Sequence, residues 1–277
     1  MNVEIIGIIL IIVFLIILTL GMPISFSMLF IGIVGIAIFT SMEVALDTAS
    51  FNLLEQFGNF TYLVIPMYMF MGYLAAESGL GRKLFNMANK WIGHFSGGLA
   101  MAAQVACAIF GAISGCIFAA TAAIGTIAIP EMKRYNYDKK LATASVGGAA
   151  TIGVLIPPSV VLMLYGIITQ NSIKTLFRGA VIPGLILLLL NVLVIYFIVR
   201  HNPKLAPRAK KSSWKERLES LTGGIWQVAV VFILSLGGLF AGWFTPTEAG
   251  AVGAAGVLVI TTVTGELKWD DVKNALV

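Results

Sequence analysis

"GGAATIGVLIPPSVVLMLYG", residues 147–166, lies inside a run from residue 141 to 173 that carries no charged side chain. The run is long enough to cross a bilayer, where an unbroken helix would satisfy every backbone group at least cost. It nevertheless holds Pro157 and Pro158 side by side, together with two clusters of small residues. Proline removes an N–H donor and clashes with the preceding turn, so the helix is expected to break near Ile156.

The rest of the chain is equally apolar. Hydrophobic residues make up 58% and charged residues 11% of the 277 positions, and the mean hydropathy is +0.95. Soluble domains carry roughly 25% charged residues, so the composition describes an all-α integral membrane protein. Its cations fall in short stretches between apolar runs instead of forming a basic face, which argues against nucleic-acid binding. Cys107 and Cys116 sit within one uncharged run and have no second pair beside them, so neither a disulfide framework nor a zinc site is indicated.

Runs of spanning length fall at roughly 3–21, 24–40, 60–76, 179–199, 225–244 and 247–264. The first has no basic leader and reads as a retained span, with an uncleaved anchor as the alternative. Residues 95–130 form a second long uncharged run. As one helix, residues 98–130 would extend about 50 Å, too long for one crossing and too short for two. A re-entrant hairpin turning at Ser114-Gly115-Cys116 fits.

Charge asymmetry supports that fold, because Lys and Arg are retained on the cytoplasmic side of short loops. With the hairpin entering and leaving on one face, of the 18 Lys and Arg only Lys174 and Arg178 fall outside. This arrangement puts the N-terminus outside and an amphipathic segment around 80–94 on the cytoplasmic side. Residues 43–58 read as an interfacial helix on the outer face. The basic stretch 200–217 reads as a cytoplasmic loop against membrane lipid, with a short surface helix in SSWKERLES. Three segments follow: 1–94, N-terminal spans and interfacial helices; 95–178, hairpin and broken helix forming a transport element; 179–277, further spans with the basic loop.

Broken backbone at membrane depth needs partners for its freed carbonyls and amides. Transporters supply them with a midplane site, where carbonyls hold a cation and half-helix N-termini face an anion. The breaks here are 111–125, with the Ser114 hydroxyl and the carbonyls of the turn, and 151–159, where Thr151 and Gly153 precede the break and Ser159 can cap the next helix. Sodium, a hard cation, is served by such oxygens without a carboxylate. The structural alternative is that small residues only allow close helix approach and prolines only kink, which is the reading for Pro66 and Pro183. Glu248, directly after Thr245-Pro246-Thr247, reads as a helix start.

GAISGCIFAATAAIGTIAIPEMKRYNYDKKLATASVGGAATIGVLIPPS, residues 111–159, resembles the large membrane subunit, DctM type, of tripartite ATP-independent periplasmic (TRAP) transporters. The family's hairpin motif corresponds to Ser114-Gly115, Ala119–Gly125 and Ile129-Pro130-Glu131-Met132; its GPLIPPS motif corresponds to Gly153–Ser159; a TPTEA element corresponds to Thr245–Ala249. The resemblance implies an elevator-type, sodium-coupled secondary transporter in a bacterial or archaeal cytoplasmic membrane. Its partners would be a small membrane subunit and a periplasmic substrate-binding protein that delivers an organic acid; no cofactor is implied beyond the coupling Na+. Carried over, Ser114, Gly115, Thr151 and Gly153 would hold sodium, while Cys116, Pro157, Pro158 and Ser159 would shape the broken helix beside substrate. Cys116 stands where the family commonly has a second serine, and Val154 replaces a proline. The family uses inverted repeats, and the chain is expected to hold one repeat and the start of the second, about the N-terminal two-thirds of such a subunit. The competing functions are a non-transporting channel or assembly subunit, and an intramembrane serine protease using Ser114, for which His94 and His201 are poorly placed bases.

Overall fold

A computed structural model describes residues 3–207, 211–223 and 225–275, and every regular element among them is helical. Arg208 and Lys210, two cations of the basic stretch 200–217, lie outside the described residues. The chain divides into two compact units, Met1–Phe60 and Thr61–Val277.

The first unit holds α1 (Val3–Thr19), α2 (Ile24–Phe39) and α3 (Met42–Gly58). At 17 and 16 residues, α1 and α2 are about 25 Å long, near the lower limit for a span. Gly21, at φ +86°, and Pro23 form the turn between them. Ser41 caps α3 by accepting the Val44 N–H at 3.3 Å.

The second unit opens with α4 (Val64–Glu77) and α5 (Leu80–Ile92), which meet at a 68° bend after the left-handed Gly79. The inner face of α5 is Leu80, Leu84, Phe85 and Ala88, the spacing of an amphipathic helix. Next come α6 (Gly98–Ser114) and α7 (Ile117–Arg134). They form a hairpin: the Cys107 thiol reaches the Ala120 carbonyl, 13 residues on, at 3.6 Å. A continuous helix would hold those positions about 20 Å apart. The far ends also close, since the Tyr137 hydroxyl accepts the Leu99 N–H at 3.2 Å. Entry and exit therefore lie side by side, as a re-entrant segment requires. The return helix was expected to finish at Pro130 but continues to Arg134; one proline costs a single helical bond, and flanking turns carry the helix past it.

α8 (Lys139–Leu155) starts at an Asp138 cap, and α9 (Val160–Ile168) follows at a bend of 41°. The proline pair thus breaks this span without reversing it. α10 (Ile173–His201) runs through Pro183 for 29 residues. α11 (Trp214–Thr222) is the expected surface helix, with a Ser213/Glu216 capping box. The run 225–244, read as one span, is interrupted: α12 (Ile225–Phe232) passes through a π-helical turn at Ile233–Gly237 into α13 (Gly238–Ala241). The Ser235 hydroxyl there donates to the Ala249 carbonyl at 2.8 Å. α14 (Pro246–Val263) and α15 (Trp269–Asn274) complete the unit. Thr245 and Glu248 form a capping box, so Glu248 marks a helix start.

Among the described residues two helices, α10 and α14, are long and apolar enough to cross a membrane alone, and up to five spans result if each bent pair is one. α6 is the centre of the unit, buried at every position except Val105 and Ile109. Its many alanines let α5, α7 and α8 pack closely around it, and Gln104 fixes it to α8 by donating to the Ser145 carbonyl at 2.7 Å. α14 lies along α4, Gly250 against Tyr68 and Gly253 beside Met71 and Ser235.

The two ends of the unit differ in charge. At one end Arg217 lies 3.5 Å from His94, Asp138 N–H donates to the Leu205 carbonyl at 2.8 Å, and Lys83 pairs with Glu266. Burial lowers the His94 pKa below its ordinary value, and the Arg217 and Lys211 charges lower it further. Lys174 and Arg178 begin α10, about 40 Å of helix from Arg200. There Arg178 donates to the Phe240 carbonyl at 3.3 Å.

Candidate functional site

The two sequence breaks meet. At the hairpin tip Gly115 is left-handed, φ +61°, and donates to the Gly111 carbonyl at 2.9 Å, ending α6. Its own carbonyl accepts the Val160 N–H, the first residue of α9, at 3.0 Å. That bond joins the tip of one broken element directly to the break in the other. A side chain at Gly115 would press on the Pro158 carbonyl, 3.3 Å from the added Cβ. One turn back, a Cβ on Gly111 would lie 3.1 Å from the Gly153 Cα, so α6 and α8 touch backbone to backbone.

Ser114 is fully buried. Its hydroxyl accepts the Cys116 N–H at 3.4 Å and donates to the Cys116 carbonyl at 3.3 Å, stapling the turn. Behind it α4 comes so close that a Cβ on Gly72 would sit 2.7 Å from Ser114 Cβ. Cys116 precedes α7 in extended conformation and gives that helix no side-chain cap. Ser159 does cap α9, accepting the Leu162 N–H at 3.3 Å.

The prolines determine which oxygens are open. In a helix the N–H of residue i bonds the carbonyl of i−4. Pro157 and Pro158 have no N–H, so the Gly153 and Val154 carbonyls lose their helical donors. Pro157, Pro158 and Ser159 are all buried, and the bond between the two prolines is cis. The site therefore offers unbonded carbonyls at the end of α8, a hydroxyl at the hairpin tip, and the uncapped N-terminus of α7. It contains no formal charge.

Of the residues the sequence pointed to, the structure brings Ser114, Gly115, Cys116, Gly153, Pro157, Pro158 and Ser159 into one neighbourhood. Thr151 is not among them. It is exposed, and its hydroxyl turns back to the Gly148 carbonyl of its own helix at 2.7 Å. Gly111, Gly72 and Val160 were missed. The Gly111–Gly115 spacing, a small-xxx-small pattern, carried a signal for the first; the others are visible only in three dimensions. His94 precedes α6 and Ser114 ends it, about 25 Å away along the helix, so no base from that position serves Ser114.

Residues 11–277 match the family described as the tripartite ATP-independent periplasmic transporter, DctM component. The chain belongs to that family. Among TRAP relatives, the C4-dicarboxylate TRAP transporter large permease protein DctM of Pseudomonas aeruginosa is 40% identical over 203 residues, covering 73% of this chain and 47% of that protein. The sialic acid TRAP transporter large permease protein SiaM of Vibrio cholerae is 32% identical over 248 residues, 88% of this chain and 56% of that protein. The ectoine/5-hydroxyectoine TRAP transporter large permease protein UehC of Ruegeria pomeroyi is 30% identical over 247 residues, 89% and 57%. The chain spans about half the length of the curated TRAP relatives it matches.

Proposed function

We propose that the chain forms the N-terminal part of a TRAP large permease that imports an organic acid by sodium symport. The single observation that carries this reading is the Gly115–Val160 bond, which holds the hairpin tip next to Ser114 against the proline break that frees the Gly153 and Val154 carbonyls. A monovalent cation with oxygen ligands suits a neutral group of carbonyls and a hydroxyl; sodium would sit between Ser114, Gly115 and Gly153. The uncapped N-terminus of α7 would face the substrate carboxylate, where its first N–H groups and dipole favour negative charge. An organic acid is in keeping with the C4-dicarboxylates and sialic acid named for relatives. A small membrane subunit and a periplasmic binding protein would complete the system, with the hairpin and broken helix moving as the elevator element. The cationic end of the second unit would face the cytoplasm of a bacterial or archaeal cell, with the N-terminus of the chain outside.

The test is uptake by the reconstituted three-component system with sodium replaced by potassium at constant ionic strength. Uptake should collapse, and Ser114→Ala and Gly153→Val should lower apparent sodium affinity by more than they lower expression. Uptake indifferent to the cation would refute sodium coupling and favour a channel.

A further inference from the structure

The cationic end of α10 has features that the transport reading does not use. From Ile182 to Phe197 the helix exposes a continuous apolar face, with Leu185, Ile186, Leu189 and Val194 between. The stretch from Ile182 to Arg200 extends about 27 Å, close to the thickness of a hydrocarbon core. It ends in Arg200 and His201, and Lys204 follows. Two cavities open at this end. One, of about 670 Å³, is lined by Ser96, Val199, Arg200, Pro203, Ala206 and Pro207. The other, of about 580 Å³, is lined by Phe197, Ile198, Arg200 and His201. Arg200 is in both walls.

Its guanidinium is held but not neutralised. It donates to the Tyr196 hydroxyl at 2.9 Å and lies 6.0 Å over that ring. Among the described residues no carboxylate lies within ion-pair distance of it. A guanidinium has five N–H donors in a fixed fork, so one bond to Tyr196 leaves the group able to take an anion. At the opposite end of the same helix Arg178 is held in the same way, by the Phe240 carbonyl and ring. Arg200 stands directly above the apolar face of α10 and in the walls of both cavities.

We propose that this groove binds an anionic phospholipid, its phosphate on Arg200 with His201 and Lys204 beside it and its acyl chains along α10. A soluble anion would explain the charge but not the apolar face that leads to it. A neutral lipid would fit the apolar face but would leave Arg200 uncompensated. Basic pockets at the cytoplasmic edge of membrane helices take anionic headgroups by this combination of point charge and hydrocarbon contact. The proposal requires that α10 lie in a bilayer and is independent of sodium coupling.

The experiment is native mass spectrometry of the full chain in detergent, incubated with equal amounts of dioleoyl phosphatidylglycerol and dioleoyl phosphatidylcholine. The wild type should retain the anionic lipid about tenfold over the zwitterionic one. Arg200→Gln should reduce that preference to within about twofold, Arg200→Lys should keep part of it, and Lys215→Gln on α11 should keep all of it. If Arg200→Gln fails to fold by circular dichroism, the His201→Gln/Lys204→Gln double variant replaces it, with a loss of about threefold expected. A wild type without preference overturns the proposal, as does a folded Arg200→Gln, or in its place the folded double variant, that keeps the full preference. Release of the lipid by 10 mM inorganic phosphate, about the concentration at which a free-anion site would fill, also overturns it, because the site would then be one for soluble anions.

Discussion

Gly111→Ala tests the packing on which the site depends. A methyl at this position gains helix propensity of about 1 kcal/mol over glycine. Its Cβ, however, would lie 3.1 Å from the Gly153 Cα. The opposing atom is backbone and cannot rotate away, so α6 and α8 must part by about 0.3–0.5 Å to reach ordinary contact. Overpacking of this kind costs about 1–3 kcal/mol, leaving a net destabilisation of about 0–2 kcal/mol. Gly147→Ala, on the same α8, is the internal control: nothing lies within 4 Å of its added Cβ, so the propensity gain of up to about 1 kcal/mol stands alone. The two variants should therefore differ by about 1–3 kcal/mol, a separation of several degrees in apparent melting temperature at fixed scan rate. The melting temperature in sodium against potassium chloride supplies a second readout, because a ligand of the folded state stabilises it by mass action. If sodium binds as proposed between the two breaks, parting them should lower its affinity about fivefold or more in Gly111→Ala, shrinking the sodium increment by about 1 kcal/mol, and should leave it intact in Gly147→Ala. A Gly111→Ala protein that melts at or above Gly147→Ala with the full sodium increment would refute both the contact and its role.

Val160→Pro removes the donor that joins α9 to Gly115, along with part of the Val160 side chain's packing on the core, at a position the backbone tolerates, since Pro is favoured at the first helical position and Ser159 is already extended, φ −137°, ψ 120°. Leaving a buried carbonyl without its partner costs about 1–3 kcal/mol; maleimide labelling of Cys116, 6% exposed, should rise severalfold while Cys107, 1% exposed, stays unlabelled, and unchanged Cys116 labelling would count against the tie. At the other end of the unit, burial pushes the Glu266 carboxyl up, but hydrogen bonds from Lys83 and Gln227 and the Lys83 charge hold its pKa below the ordinary 4.5. Stability from this pair is therefore present above the unfolded value and lost as pH falls through the lower folded one. Lys83→Met removes the largest effect that holds this pKa down and should raise it, so the variant should melt lower than wild type at pH 7 and the gap should narrow as the pH falls; a melting profile parallel to wild type would show that Lys83 does not set the Glu266 charge.

The residues that were legible in the sequence are those whose structure follows from their own covalent chemistry. Two prolines without N–H groups mark a break wherever they stand, and Ser114-Gly115-Cys116 reads as a tip because the run around it has the wrong length for any other crossing. Boundaries set by neighbours were not legible. Ile233–Gly237 is as apolar as the helix around it, and nothing local foretells that Ser235 will reach across to the Ala249 carbonyl and widen that turn. Likewise the α7 helix passes Pro130, where a local rule alone predicts its end.

Thr151 shows where the sequence argument about the site lost its resolution, and the reason is geometric. Thr151 and Gly153 precede the same break and both offer oxygen, so proximity in sequence made them equal candidates. In a helix of 3.6 residues per turn, positions two apart point about 200° from one another. Once Gly153 is pressed against Gly111, the Thr151 side chain must leave from the opposite side of α8, where it is exposed and bonded to Gly148. The two can share a cation only through the carbonyls of the α8 terminus, which point along the helix axis and not to either side. The Gly153 carbonyl is freed by Pro157 in this way, whereas Ile152, one residue earlier, still has its carbonyl bonded to the Ile156 N–H at 3.1 Å. The oxygens that a cation could use therefore begin at Gly153, set by the position of the first missing donor and not by which side chains carry hydroxyls.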